Sequence, residues 1–83
     1  MSRGSILQYV RHVVAEETGQ PEAAILESNS FESLGIDSLS AIVILNKIED
    51  QYQFELNPLD IWDHPTVGAF TDFVAARLSD SAQ

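Results

Sequence analysis

Five consecutive apolar residues, Ala41 to Leu45, stand in the stretch GIDSLSAIVILNKI from Gly35 to Ile48, and they limit the fold more than any other feature of the chain. The stretch reads as a helix, and at about 100° per residue such a run wraps right around the cylinder. No single core face can take the whole run, so some of these aliphatic side chains must face outward. On a helical wheel running from Asp37 or Ser38 to about Tyr52, Ala41, Ile44, Leu45, Ile48 and Tyr52 gather on one face, which is assigned to the core. Leu39, Val43, Asn46 and Asp50 fall opposite, with Ile42 at the flank. Leu39, Ile42 and Val43 then form an apolar patch beside Ser38, exposed unless the preceding loop covers it.

Other segments supply the partners of that core face. In SILQYVRHVVAEETG, Ile6, Leu7, Val10, Val13 and Val14 repeat at helical spacing, Ser5 with Gln8 forms a capping box, and Gly19 supplies a left-handed stop. From Gln20 to Asp37 periodicity is lost; Pro21, Asn29, Ser30 and Gly35 punctuate a long loop that Ile25, Leu26, Phe31 and Leu34 pin to the core. A short strand-like FEL, Phe54 to Leu56, comes after the second helix. Asn57 then caps a brief helix with Pro58 in its first turn, and Pro65 ends it, because the residue before proline disfavours helix. Thr66 caps a last helix whose buried stripe is Val67, Phe70, Phe73, Val74 and Leu78, and a small polar tail from Ser79 frays. The expected architecture is all-α: a small four-helix bundle of three main helices and one short helix, with the long loop between the first and second. Its 83 residues make a single domain, residues 1–83, with a core over about 5–78 and disordered ends.

Composition removes several classes of function. The chain has no cysteine, which excludes disulfides and thiolate metal sites and agrees with a cytoplasmic location. No stretch approaches the roughly 18 uninterrupted apolar residues of a membrane span, and the opening MSRGS does not lead into a signal-peptide core. Thirteen acidic residues against four basic ones give a net charge of −9, which repels nucleic acid and anionic lipid and suits basic partner surfaces. Ser38, His12, His64 and the carboxylates are the residue types of a hydrolytic triad, but so small a domain has little room for both a cleft and a core. No metal site is expected, since His12 and His64 are far apart and neither sits in a ligand-spaced pattern. His12 is read as a solvent-facing helix residue and His64 as a loop or capping residue.

Ser38 remains. Asp37 is a good helix cap, so Asp37-Ser38-Leu39 marks a helix start in its own right. In context, the hydroxyl comes just after the tight turn at Gly35, is flanked by exposed apolar residues, and lies at a helix N-terminus that favours an attached phosphate. Chemistry done to Ser38 fits this position better than chemistry done by it.

FESLGIDSLSAIVILNKIEDQYQFEL followed by IWDHPTVGAF resembles an acyl carrier protein over nearly the whole chain. The likeness rests on Phe31, Leu34 and Gly35 before Asp37-Ser38-Leu39, then the aliphatic helix, then DHPTV opening the last helix. The resemblance implies a non-catalytic carrier in which Ser38, between Asp37 and Leu39, receives phosphopantetheine from coenzyme A. The arm's thiol then holds acyl groups as thioesters. It also implies partner docking through Leu39, Ile42, Val43 and Asn46. The implied partners are a phosphopantetheinyl transferase and an acyltransferase, ketosynthase or other synthase enzyme, with the carrier itself a monomer. Peptidyl carriers usually have a Gly-Gly-His/Asp-Ser turn, and fatty-acid carriers a strongly acidic second helix with glutamate where Val43 stands. DHPTV and the less acidic helix are similar to carrier domains of polyketide synthases. Fatty-acid synthesis and a discrete aminoacyl or peptidyl carrier are the alternatives, and an unmodified helical interaction domain is the alternative from another class.

Overall fold

A computed structural model describes residues 2–81. The first helix, α1 (Arg3–Thr18), carries Ile6, Val10, Val13 and Val14 inward and ends at Gly19 with φ 74°, as its spacing predicts. Its start differs from expectation. Ser2 is the cap, not Ser5: Ser2 Oγ accepts from the Ser5 amide at 3.2 Å, and Ser5 Oγ donates to the Ser2 carbonyl at 2.9 Å. The serine pair satisfies an otherwise orphaned first-turn amide, which draws the helix back towards the chain start.

The connection to the second helix is a loop with one 3-10 turn, Glu22–Ala24. Ile25, Phe31 and Leu34 are buried in it as expected, whereas Leu26 is 54% exposed. Ile25 already takes the inward direction, and the Leu26 amide donates to Asn29 Oδ1 at 2.8 Å, which turns the chain outward there. Ile36, not singled out from the sequence, is the further buried anchor.

This loop is stitched to the start of the last helix. The Phe31 amide donates to the Pro65 carbonyl at 2.9 Å, Val67 to Asn29 at 3.0 Å, and Gly68 to Glu27 at 2.9 Å. Ser30 and Thr66 form an isolated antiparallel bridge. Arg3 pairs with both Glu27 and Asp72, fastening the start of α1 to the same place. Hydrogen bonds to the Glu27 and Asp72 carboxylates raise the Arg3 pKa, and the Arg3 guanidinium in turn holds the Glu27 carboxyl below its usual range. The strand-like stretch from Phe54 to Leu56 stays outside any ladder, in keeping with an all-α fold. An extended segment needs a pairing edge, and the Leu56 amide instead donates to the Glu49 carboxylate at 2.7 Å.

The second helix, α2 (Ser38–Tyr52), occupies the expected range and ends where Gln53 turns left-handed at φ 56°. The short α3 (Asp60–Asp63) begins after Pro58 rather than with it. Asn57 Oδ1 accepts from the Leu59 amide and Asp60 Oδ2 from the Asn57 amide, so the first turn is spent on a reciprocal cap. Thr66 Oγ1 caps α4 (Val67–Ser81), accepting from Ala69 at 3.1 Å. The tail expected to fray from Ser79 is helical to Ser81, and its last two positions, 82 and 83, lie outside the described residues.

Both α2 and α4 pack against α1, so the bundle is all-α with three main helices and a short fourth. Ala41, Ile44, Leu45 and Ile48 of α2 and Val67, Phe70 and Val74 of α4 complete the core, while Tyr52, Phe73 and Leu78 pack half-buried at its margin. Phe31 meets Phe70 edge to face, ring centroids 5.7 Å apart, so the loop's anchor touches α4 in the centre of the domain.

Candidate functional site

The turn before α2 is built from hydrogen bonds that converge on Phe31. Ser30 Oγ accepts from the Ser33 amide at 3.1 Å, and Ser33 Oγ donates to the Ser30 carbonyl at 2.8 Å. The Ile36 amide then returns to the Phe31 carbonyl at 3.0 Å across Gly35, whose φ of 86° is a left-handed value suited to glycine. With Phe31 fixed to Pro65 and Ile36 buried, the next residues have little freedom. Asp37 is extended and its Oδ1 accepts from the Ser40 amide at 2.8 Å.

Asp37 therefore does the capping and Ser38, first residue of α2, is left exposed to solvent. The Ser40 backbone amide, followed by the Ser40 hydroxyl, holds the Asp37 carboxyl below the usual carboxylate range. The helix start supplies free amides and a positive dipole end next to the Ser38 hydroxyl.

Around it the wheel holds. Leu39 is 76% exposed, Ile42 46% and Val43 38%, so the loop does not cover the patch, and Asn46 continues the exposed face. Both histidines are engaged away from this serine. His12 lies 3.5 Å from Glu16 and 3.3 Å from Glu22, and His64 closes α3 and stacks on Phe73. Among the described residues no group of three or more His, Cys, Asp or Glu is placed to hold a metal ion, and no helix is long and apolar enough to cross a membrane.

Sequence reasoning missed Leu59 and Trp62, large apolar side chains that α3 leaves exposed while Ile61 is fully buried. The signal was present in the spacing: Leu59 stands about 160° from Ile61 on a helix, so burying Ile61 turns Leu59 outward, and Trp62, about 100° away, falls at the flank.

The family model described as the phosphopantetheine attachment site matches residues 8–74. The chain belongs to this phosphopantetheine-attachment family. Members are defined by a covalently attached phosphopantetheine group. A relative is the conidial pigment polyketide synthase PfmaE of Pestalotiopsis fici, 29% identical over 82 residues, which are 99% of this chain and 4% of that protein. A second is the spectinabilin polyketide synthase system protein NorB of Streptomyces orinoci, 35% identical over 77 residues, or 92% of this chain and 4% of that protein. The chain thus spans about one twenty-fifth of the length of these curated relatives. Among solved structures, a free-standing peptidyl carrier protein from an uncharacterized Acinetobacter baumannii secondary metabolic pathway superposes with a TM-score of 0.88 at 28% identity, covering 93% of this chain and 96% of that one. The chain is a small helical carrier domain of this family.

The residues present fit the prosthetic group. An exposed hydroxyl at a helix N-terminus, with its capping hydrogen bond made by the preceding aspartate, offers an oxygen for a phosphodiester and a favourable field for its charge.

Proposed function

We propose that this domain carries acyl intermediates of polyketide assembly in the cytoplasm on a phosphopantetheine arm attached to Ser38, and that it has no catalytic activity of its own. When bound, the arm supplies a thiol on a long flexible tether, which holds the acyl group as a thioester. The chain's own part is presentation. Asp37 fixes the first turn of α2, the turn from Phe31 to Ile36 fixes Asp37, and the Ser38 oxygen faces a transferase that brings coenzyme A and the catalytic groups. Leu39, Ile42, Val43 and Asn46 are the docking face for that transferase and for the acyltransferase, ketosynthase or other synthase enzymes. The absence of cysteine means that the reactive thiol is imported with the arm.

The observation that carries this reading is Ser38, exposed at the first position of α2 beside three exposed aliphatic side chains. Incubation with coenzyme A and a phosphopantetheinyl transferase should add one phosphopantetheine mass, and Ser38→Ala should abolish the addition. Modification that survives in the alanine variant would refute Ser38 as the tether. The likeness to a free-standing peptidyl carrier supports a second reading, an aminoacyl or peptidyl cargo. Offering the modified protein to a malonyl-charged acyltransferase and, separately, to an amino-acid adenylation domain distinguishes the two by which thioester accumulates.

A further inference from the structure

The chain on either side of α3 is fastened to α4 by a row of planar groups. His64, which closes α3, stacks on Phe73 with ring centroids 4.3 Å apart and planes 17° from parallel. The guanidinium carbon of Arg77 lies 5.7 Å from the centre of that same ring and 5.6 Å from the centre of Phe54. Arg77 also donates to the Glu55 carbonyl at 2.9 Å. One residue pair on α4 thus grips both ends of the segment from Phe54 to His64.

Between those grips the segment is held by Leu56, which packs half-buried against the core while its amide donates to the Glu49 carboxylate, and by Ile61 of α3. A four-residue helix does not persist by itself in water. Ile61 is its buried side chain, the Asn57–Asp60 cap is local to the segment, and Leu59 and Trp62 point to solvent. A region with few buried apolar groups opens at a lower free energy than the whole domain. Cation–π and stacked-ring contacts near the surface are directional and individually modest, so they suit a reversible closure.

We infer that Phe73, with His64 and Arg77, forms a latch that sets the position of α3, and that α3 can leave α4 as a unit while α1, α2 and α4 stay packed. The latch adjoins the tether turn. His64 precedes Pro65, whose carbonyl accepts from Phe31, whose carbonyl accepts from Ile36, just before Asp37 and Ser38. Its state therefore sets where the exposed Leu59 and Trp62 lie relative to the turn that carries Ser38. That consequence rests on Ser38 being the tether; the latch itself does not.

The test uses the full, unmodified chain, so it is independent of Ser38 chemistry. Phe73→Leu keeps an apolar side chain but removes the ring faces, Arg77→Met keeps the alkyl stem but removes the cation, and Phe73→Tyr keeps the ring. The readouts are amide hydrogen exchange at Trp62, Asp63 and His64, whose amides bond back to Leu59 and Asp60, and the emission of Trp62, the chain's one tryptophan. Exchange at these amides should rise about tenfold or more in Phe73→Leu and rise in Arg77→Met, with a shift in Trp62 emission and far smaller changes at Val10, Ile44 and Val74. Phe73→Tyr should behave as the parent protein. Unchanged exchange in α3, or exchange that rises equally in all helices in both the leucine and methionine variants, would overturn the latch.

Discussion

Phe31 and Val43 are both apolar, yet they answer to different demands, and single substitutions should separate them. The Phe31 ring is fully buried against Phe70, so Phe31→Ala leaves a cavity at the junction of loop and bundle. The expected loss is about 3–5 kcal/mol, a large part of a small domain's stability, read as a clear fall in melting temperature. Val43 is more than a third exposed, opposite the core stripe. Val43→Asp should keep the helical signal and change stability by less than about 1 kcal/mol, yet weaken acyl transfer to or from the arm proposed at Ser38, because it removes apolar contact from the proposed docking face. A Val43→Asp chain that unfolds would place Val43 in the core instead. Gly35 poses a third kind of demand. An added Cβ there meets nothing within 4 Å, but φ is 86°, so Gly35→Ala should cost about 1–2 kcal/mol through backbone strain alone. A melting curve identical to that of the parent protein would show that the turn relaxes freely.

Helix boundaries were legible where one residue type had a single local task. Asp37, Thr66 and Gly19 are examples: each sits at the end of an apolar period and satisfies a group the helix leaves open. The start of α1 was not, because Ser2 and Ser5 are equally good caps by type, and only the reciprocal bond between them decides. Leu26 and Ile36 were illegible for another reason: without periodicity, burial depends on which way each backbone turn faces. The Ser38 site was largely legible, since cap, turn glycine and apolar excess are all local signals. The His64–Phe73 stack joins residues from separate elements and leaves no local trace. Two caps make quantitative predictions. Thr66→Ala removes the acceptor for the Ala69 amide and should cost about 1 kcal/mol, with Thr66→Ser restoring most of it in denaturant titrations. Asp37 acts through its charge. Its folded pKa lies below the ordinary 3.8, so its contribution is complete above that value and is lost as pH falls through the lower folded pKa. Amide exchange at Ser40, corrected for intrinsic rate, should lose protection in that acid window, and Asp37→Asn should make it insensitive to pH there.

Across the whole molecule, the acidity has no internal counterweight. Each of the four basic residues is engaged locally: Arg3 with Glu27 and Asp72, Arg11 with the Glu22 carbonyl, Lys47 with Glu16, and Arg77 with Phe54, Phe73 and the Glu55 carbonyl. The field of the net −9 charge therefore reaches outward and should steer basic partner surfaces toward the domain. Such steering acts on encounter and not on the bound complex, and it is screened by salt, the Debye length falling from about 30 Å at 0.01 M to about 8 Å at 0.15 M. For modification of Ser38 by a transferase with a basic carrier-binding surface, kcat/KM should fall several-fold over about that range while kcat stays level. Val43→Asp sharpens the test, because it adds a steering charge and removes a docking contact in one step. Its salt dependence should be steeper than that of the parent chain, while its kcat/KM is lower at every salt concentration. A kcat/KM that does not change with salt in either protein would mean that the acidity serves solubility alone and that recognition rests on the apolar face beside Ser38.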